Sequence, residues 1–150
     1  MITIRPATRA DEEAVLDLIE ELFVAPGMRP ASYTRAGGSE RFRTSIDGRD
    51  RDVLLAEDGG LAVGIASVYA DIPSIRFGQR CWLQDLVVTA SRRSGGAGRA
   101  LLEAATAWAR ERGCTHLELN SGNARKDAHR FYVANGMTQD SLCFGMRIDG

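Results

Sequence analysis

The beginning of the chain changes from strand-like to helix-like spacing of its hydrophobic residues. Residues 2–5 alternate between apolar and polar side chains, and Pro6 ends the alternation. From Thr8 or Asp11, either of which can cap a helix, apolar residues recur at helical spacing as far as Phe23. The pattern therefore predicts a short strand followed by a helix with one core-facing stripe.

The next part of the chain has the patterns of a weak helix and of a hairpin. Proline and glycine break the periodicity over residues 24–38, which are predicted as a loop, and residues 39–46 form a poor second helix rich in arginine. Residues 53–57 and 61–69 have strand patterns. They are joined at Asp58-Gly59-Gly60, which is a strong hairpin signal.

The second half of the chain alternates between strands and helices. The pattern predicts a strand over residues 80–88, a helix over 98–112, a strand over 115–120 and a helix over 126–134, with two more strands within 137–148. Because the first of these helices returns the chain, the strands on either side of it are expected to be parallel. The apolar face of that helix is made by Leu101, Ala105, Trp108 and Ala109.

Residues 86–102 run from an apolar strand through a glycine-rich turn into this helix. Glycines in the turn let a ligand approach the backbone, and the free N–H groups of the helix's first turn point towards an anion. Arg92, Arg93 and Arg99 add positive charge at the same place. The segment therefore predicts a site for a phosphate-bearing ligand.

Glycine spacing separates the classes of phosphate ligand. A mononucleotide P-loop needs a Gly-Lys pair, which this chain lacks. A dinucleotide fingerprint needs a third glycine where this chain has Leu101, and its acidic partner, Glu118, falls inside an apolar strand instead of at its end. The remaining pattern is Arg93-x-x-Gly96-x-Gly98.

That pattern resembles the coenzyme A pyrophosphate loop of the Gcn5-related N-acetyltransferases (GNAT). Residues 128–137 are similar to the family's Ala-x-x-x-Tyr-x-x-x-Gly-Phe segment, with Tyr132 and Gly136 at the tyrosine and glycine positions and Met137 replacing the usual aromatic residue. The opening segment Ile4–Thr8 also resembles the family's start. Within the family, residues 84–88 and 125–132 look most like small-amine acetyltransferases, including the aminoalkylphosphonate group.

The resemblance implies the fold and the ligand. The expected architecture is a mixed α/β (α+β) protein with the GNAT acyl-CoA N-acyltransferase fold, a central twisted mixed sheet of about seven strands flanked by about four helices. Residues 1–150 are expected to form one such domain. Acetyl-CoA is the implied cosubstrate, held by the backbone of strand 80–88, by the glycine-rich turn and by residues before the last helix. The implied contacts are Leu86, Val87, Val88, Arg93, Ser94, Gly95, Gly96, Ala97, Gly98, Arg99, Asn123 and Arg125.

Tyr132 is the candidate catalytic acid. A phenol with a pKa of about 10 can donate to a departing thiolate whose thiol pKa is about 8.5. Packing at a helix end is the alternative role for this side chain. Arg125 occupies the position where the family often has an asparagine that contacts pantetheine, and Asn123 lies two residues earlier.

Asp85 is the candidate base. Relatives in the family often carry a glutamate where this chain has Trp82 or Gln84, and Asp85 is the nearest carboxylate. Simple alternation places Trp82 and Asp85 on opposite faces of the strand until a bulge intervenes. Two alternatives stay open: the carboxylate is satisfied by neighbouring groups, or an ordered water molecule relays the proton.

Other polar and sulfur-bearing residues give weaker signals. The resemblance places Arg35, Arg41 and Arg43 on one wall of the acceptor pocket, where they either bind an anionic group or simply face solvent. The three cysteines have no Cys-x-x-Cys spacing, which argues against disulfides and zinc, and each is expected to be a small buried hydrophobe. An acyl-accepting thiol at Cys81 is a minor alternative. No metal is expected.

Composition limits the partners. A net charge of −1 favours neither nucleic acid nor an anionic membrane, and no apolar run is long enough to cross a bilayer. We expect a cytosolic protein whose partner is a small amine. Whether it forms a homodimer is left open. The predicted function is N-acetyl transfer from acetyl-CoA to a small primary amine by direct attack. The alternatives are a catalytically silent acyl-CoA-binding module and a dinucleotide-binding oxidoreductase fragment.

Overall fold

A computed structural model describes all of residues 1–150, and the chain divides into two compact units, residues 1–119 and residues 120–150. The first unit contains five strands and three helices: β1 (Ile2–Pro6), α1 (Glu12–Glu21), α2 (Arg35–Asp47), β2 (Arg51–Asp58), β3 (Leu61–Ala70), β4 (Arg80–Val88), α3 (Ala97–Glu111) and β5 (His116–Glu118). The second unit contains one helix, α4 (Lys126–Ala134). The helices, the hairpin and the β4–α3–β5 unit confirm a mixed α/β fold.

The five strands form one sheet in the order β1-β2-β3-β4-β5. The first four are antiparallel neighbours, and β2 and β3 are joined by the predicted hairpin, with Asp58 opposite Leu61. The last pair, β4 and β5, is parallel because α3 carries the chain back between them. The phosphate loop predicted from the sequence lies in this crossover.

Helices cover the two faces of the sheet. One face packs against α1 and α2, and its buried cluster includes Val15, Leu18, Phe42, Leu55 and Ile65. The other face packs against α3, whose predicted apolar stripe is buried throughout, and Leu101 is fully inaccessible to solvent. Both helical stripes are therefore confirmed as core.

The chain enters α1 through a polar cluster. The Thr8 backbone N–H donates to Asp11 Oδ2 at 2.7 Å, and the Arg5 guanidinium donates to both carboxylate oxygens of Asp11 and to Glu57. These hydrogen bonds from Arg5 hold the pKa of Asp11 far below its ordinary value. This cluster fixes the turn between β1 and the first helix.

The second helix begins earlier than the sequence predicts, at Arg35 instead of residue 39. Two glycines in its first turn argue against helix by propensity. A Cβ at Gly38 would lie 3.1 Å from Leu16 Cδ2, so the missing side chain lets α2 approach α1 closely. Thr34 caps the new start by accepting the Gly37 N–H at 3.0 Å. Tertiary packing therefore outweighs the local propensity.

The sheet has five strands, so the expected count of about seven is wrong. The two strands predicted within residues 137–148 are not formed, and β5 is three residues long. The apolar alternation that suggested a strand there is present, but Leu142, Phe144, Met146 and Ile148 are all exposed. Alternation alone makes no strand, because a strand also needs a neighbour for its backbone groups, and no backbone hydrogen bond joins residues 138–150 to another segment.

No helix in the chain is both long and apolar enough to cross a membrane.

Candidate active site

A β-bulge in β4 determines which side chains share a face at the centre of the sheet. Ser67 is opposite Asp85 and Val68 is opposite Leu83, so Gln84 is the extra residue on β4. The bulge restarts the alternation, and Trp82 therefore lies on the same face as Asp85. Strict alternation, which placed Trp82 and Asp85 on opposite faces, fails at this point.

The bulge also lies beside an open edge of β4. Parallel pairing with β5 covers only residues 80–82 of β4, where Trp82 is opposite Glu118. From Leu83 to Val88, β4 has a strand partner on the β3 side alone. Because an inner strand directs alternate backbone groups to each side, the N–H and C=O groups that face away from β3 have no strand partner here. Leu86, Val87 and Val88 belong to this stretch.

The strand leads directly into the glycine-rich turn. Ser94 and Gly96 both have positive φ, 68° and 90°, and Gly96 is the N-cap of α3. The Ala100 N–H donates to the Gly96 carbonyl at 3.0 Å, so the amides of Ala97, Gly98 and Arg99 precede the first helical hydrogen bond. A Cβ at Gly96 would meet nothing within 4 Å, and the turn is open to solvent.

The three arginines at the turn have different partners. Arg92 pairs with Asp58, and Arg99 pairs with Glu103 at 3.0 Å one turn along α3. Arg93 forms no ion pair, and its Nε donates to the Val88 carbonyl at 3.3 Å. Arg93 is therefore the arginine of the turn whose charge is not already compensated by a carboxylate.

Asp85 accepts a hydrogen bond from a side chain of the neighbouring strand. Ser67 Oγ donates to Asp85 Oδ2 at 3.0 Å, and Ser67 is the one buried polar side chain of the structure. Sequence reasoning missed Ser67, although a serine in the middle of the apolar run of β3 was a visible signal.

Further polar groups lie on the same face towards the beginning of β4. Trp82 Nε1 donates to Asp71 Oδ2 at 3.1 Å, and Tyr69 is opposite Trp82 in the sheet. Burial and the nearby Asp71 carboxylate raise the pKa of Tyr69. Glu118 lies opposite Trp82 and pairs with Arg80 at 3.5 Å. The sequence did not indicate these residues as a group, because the bulge and the strand pairing bring them together.

The remaining predicted residues belong to the second unit. Tyr132 lies on α4, half-buried, with its ring 5.6 Å from the Phe131 ring in an edge-on arrangement. Arg125 is the N-cap residue of α4, and Asn123 is exposed in the loop before it. His129 contacts the Gly122 carbonyl through Nε2 at 2.9 Å, which ties this loop to the helix.

Two of the three arginines that the family resemblance places on one wall of the acceptor pocket form ion pairs with carboxylates. Arg35 pairs with Glu13, Asp17 and Glu20, and Arg43 pairs with Glu12. They hold α2 against α1, whereas Arg41 forms no ion pair.

The cysteines do not form a reactive centre. Burial raises the pKa of Cys81 to about 12, which keeps it a neutral thiol near pH 7. Cys114 is also buried, as predicted, whereas Cys143 is exposed, and the prediction for Cys143 is wrong because the terminal segment does not pack. No group of three or more histidine, cysteine or acidic side chains is arranged to hold a metal ion.

Comparison with known proteins identifies the family. The acetyltransferase (GNAT) family profile matches residues 13–137. Over 72 residues the chain is 49% identical to the uncharacterized N-acetyltransferase YhdJ of Bacillus subtilis, a match covering 47% of this chain and 51% of YhdJ, so it spans about half the length of that relative. It is 28% identical to the uncharacterized N-acetyltransferase YhfO of the same species, over 93% of this chain and 92% of YhfO.

The fold has solved counterparts as well. The aminoglycoside N-acetyltransferase AAC(6')-Iy in complex with CoA superposes with a TM-score of 0.85 at 16% identity, over 100% of this chain and 96% of that one. A likeness at this identity shows the fold. Together with the profile match over most of the chain, it leads to one assignment. The chain belongs to the acetyltransferase (GNAT) family.

Proposed function

We propose that the protein transfers the acetyl group of acetyl-CoA to a small primary amine by direct attack, with residues 1–150 acting as one catalytic domain in the cytosol. The observation that carries the proposal is the open edge of β4 from Leu83 to Val88, which runs directly into the turn at Gly96 and the free amides of α3. An extended chain ending in a pyrophosphate fits such a path, because a strand edge offers amide hydrogen bonds and a helix N-terminus offers an anion site.

The phosphates of the cosubstrate are assigned to the turn. The amides of Ala97, Gly98 and Arg99 supply donors, and Arg93 supplies a charge that no carboxylate compensates. Ser94 and Gly95 belong to the same turn, where left-handed backbone at Ser94 and Gly96 shapes the concave side. The neutral donors and the single uncompensated charge suit a pyrophosphate at the surface.

The thioester is assigned to the β4 edge. Pantetheine would pair with backbone groups around Leu86, Val87 and Val88, and one N–H of this edge would stabilise the oxyanion that forms when the amine attacks the carbonyl. Asn123 and Arg125, which precede α4, are the proposed side-chain contacts to pantetheine. The aminoglycoside N-acetyltransferase with the same fold was solved with CoA bound, which supports a cosubstrate of this kind.

The proton transfers are assigned to two side chains. Asp85, which accepts a hydrogen bond from the Ser67 hydroxyl, accepts a proton from the ammonium form of the acceptor, directly or through water. The free amine attacks the thioester carbonyl, the tetrahedral intermediate collapses, and the C–S bond breaks. Tyr132 donates its phenolic proton to the departing thiolate. The products are the N-acetylated amine and coenzyme A.

The acceptor is proposed to be cationic. Asp71 and Asp85 lie on the face of the sheet that carries Trp82, and their carboxylates favour an ammonium group. Trp82 adds an aromatic surface for a cation. The structural neighbour is named an aminoglycoside N-acetyltransferase, and aminoglycosides are amines of this class.

Measuring thiol release from acetyl-CoA with a panel of amines tests the proposal. Asp85→Asn is expected to lower the rate strongly for basic amines and only slightly for amines of low pKa, since the latter are already deprotonated. Glu111→Gln, which removes an exposed carboxylate at the end of α3, is the charge-matched control and should leave both rates unchanged. Equal losses for both kinds of amine would reject Asp85 as the base. Tight CoA binding without turnover for any amine would favour a silent acyl-CoA-binding module.

A further inference from the structure

A second concave site lies away from the β4 edge, between α2 and the beginning of β2. The concavity has a volume of about 300 Å³ and is lined by Gly37, Glu40, Arg41, Thr44, Ser45 and Arg51. This volume is at the lower end of the range for small-molecule sites. Neither the predicted phosphate turn nor the proposed catalytic residues contribute to it.

The two arginines of this concavity differ from their neighbours on α2. Arg35 and Arg43 are fully engaged by acidic residues of α1. Arg41 and Arg51 form no hydrogen bond or ion pair through their guanidinium groups. Two guanidinium groups that line the same concavity repel each other, and an anion between them would remove that repulsion.

Two glycines make room for these side chains. A Cβ at Gly48 would lie 2.3 Å from Arg51 Nε and 2.6 Å from its Cγ, so the Arg51 side chain lies against the Gly48 backbone. A Cβ at Gly37 would lie 3.4 Å from Arg41 Nη1. The position of the Arg51 side chain therefore depends on the absence of a side chain at Gly48, whereas the contact of Arg41 with Gly37 is close to an ordinary van der Waals distance.

The other lining groups leave the arginines as the main donors. Thr44 Oγ1 donates to the Glu40 carbonyl at 3.1 Å and Ser45 Oγ donates to the Arg41 carbonyl at 2.9 Å, so both hydroxyl protons are used within the helix. Glu40 contributes the one carboxylate. The lining therefore carries two positive charges and one negative charge.

We propose that Arg41 and Arg51 form a binding site for a small oxyanion, a phosphate or a carboxylate group. The site is separate from the phosphate turn, because Arg51 lies opposite Tyr69 and Tyr69 opposite Trp82, at the beginning of β4. The turn follows the other end of that strand, and the distance from Trp82 to Val88 along an extended strand is about 20 Å.

Titration of the full-length protein with inorganic phosphate, and separately with malonate, tests the site. Backbone amide shifts in an NMR spectrum report which segment binds, and a saturating amount of coenzyme A keeps the phosphate turn occupied. We expect shifts in residues 37–51 with either probe, and the probe that binds more tightly identifies the ligand class. Arg41→Ala and Arg51→Ala should each weaken binding about fivefold, the size of one ion pair near water.

Two further variants test the predicted direction of the change in phosphate affinity. Glu40→Gln should tighten phosphate binding several-fold, because it removes the one negative charge of the lining. Gly48→Ala should weaken binding, since it displaces Arg51 without changing any charge. The double variant Arg49→Ala/Arg110→Ala removes two positive charges from arginines outside the concavity and should bind phosphate like the parent protein. Equal weakening in this control, or shifts confined to residues 93–99, would overturn the proposal.

Discussion

The two glycines at the ends of α3 allow a paired test of the phosphate turn. Gly96 precedes the helix with φ 90° and Gly113 follows it with φ 77°, and a Cβ at either position would meet nothing within 4 Å. The helix of 15 residues separates them by about 22 Å. Replacing each glycine by aspartate therefore adds the same side chain and charge to the same kind of backbone, at opposite ends of one helix.

The effects on stability should differ between the ends. A side chain in left-handed backbone costs about 1–2 kcal/mol at both positions. At Gly96 the new carboxylate lies at the positive end of the helix dipole and can cap it, which offsets about 0.3–1 kcal/mol. At Gly113 the carboxylate lies at the negative end and adds a similar penalty. Gly96→Asp should therefore lose about 1 kcal/mol of unfolding free energy and Gly113→Asp about 2 kcal/mol.

The order of the two variants should be reversed for coenzyme A affinity, because Gly96→Asp should lose more affinity than Gly113→Asp. At the turn, a carboxylate near the pyrophosphate of coenzyme A adds repulsion of about 2 kcal/mol at a partly exposed site, which weakens binding about thirtyfold. At Gly113 the charge is too far away to act at physiological salt. Isothermal titration calorimetry with coenzyme A and urea unfolding give the two quantities for each variant. A folded Gly96→Asp protein that binds coenzyme A as tightly as the parent would refute the assignment of the phosphates to this turn.

Three further predictions concern other parts of the chain. Tyr132→Phe should lower turnover about a hundredfold with little change in acetyl-CoA affinity, and equal turnover would assign the ring to packing. Asp11→Asn should cost about 1–2 kcal/mol of unfolding free energy at pH 7. Because hydrogen bonds from Arg5 lower the folded-state pKa of Asp11 below its ordinary 3.8, that contribution is present above about pH 4 and is lost as the pH falls further, so urea unfolding at pH 7 and pH 3 should show the difference shrink. A thiol reagent at pH 8 should label Cys143 and spare Cys81, whose pKa burial raises to about 12, and rapid labelling of Cys81 in the folded protein would contradict its burial.

Local patterns in the sequence determined the elements whose signals do not depend on distant residues. The apolar face of α3, the two-glycine hairpin between β2 and β3 and the helix ending before Gly136 all follow from spacing and turn chemistry, and the structure confirms them. The Arg93–Gly98 pattern and the Tyr132 segment were enough to indicate the family. Each of these signals is complete within about fifteen residues, which is why a single sequence reveals it.

Tertiary structure decided what depends on pairing between distant segments. The bulge at Gln84 appears only when β3 and β4 are in register, and it brings Trp82 to the face of Asp85. Which arginines of α2 are neutralised was settled by the acidic residues of α1, and this left Arg41 uncompensated. The alternation ending at Ile148 formed no strand, because a strand exists only where another segment accepts its backbone hydrogen bonds. Register, charge pairing and strand partners are properties of the folded chain, and no local pattern specifies them.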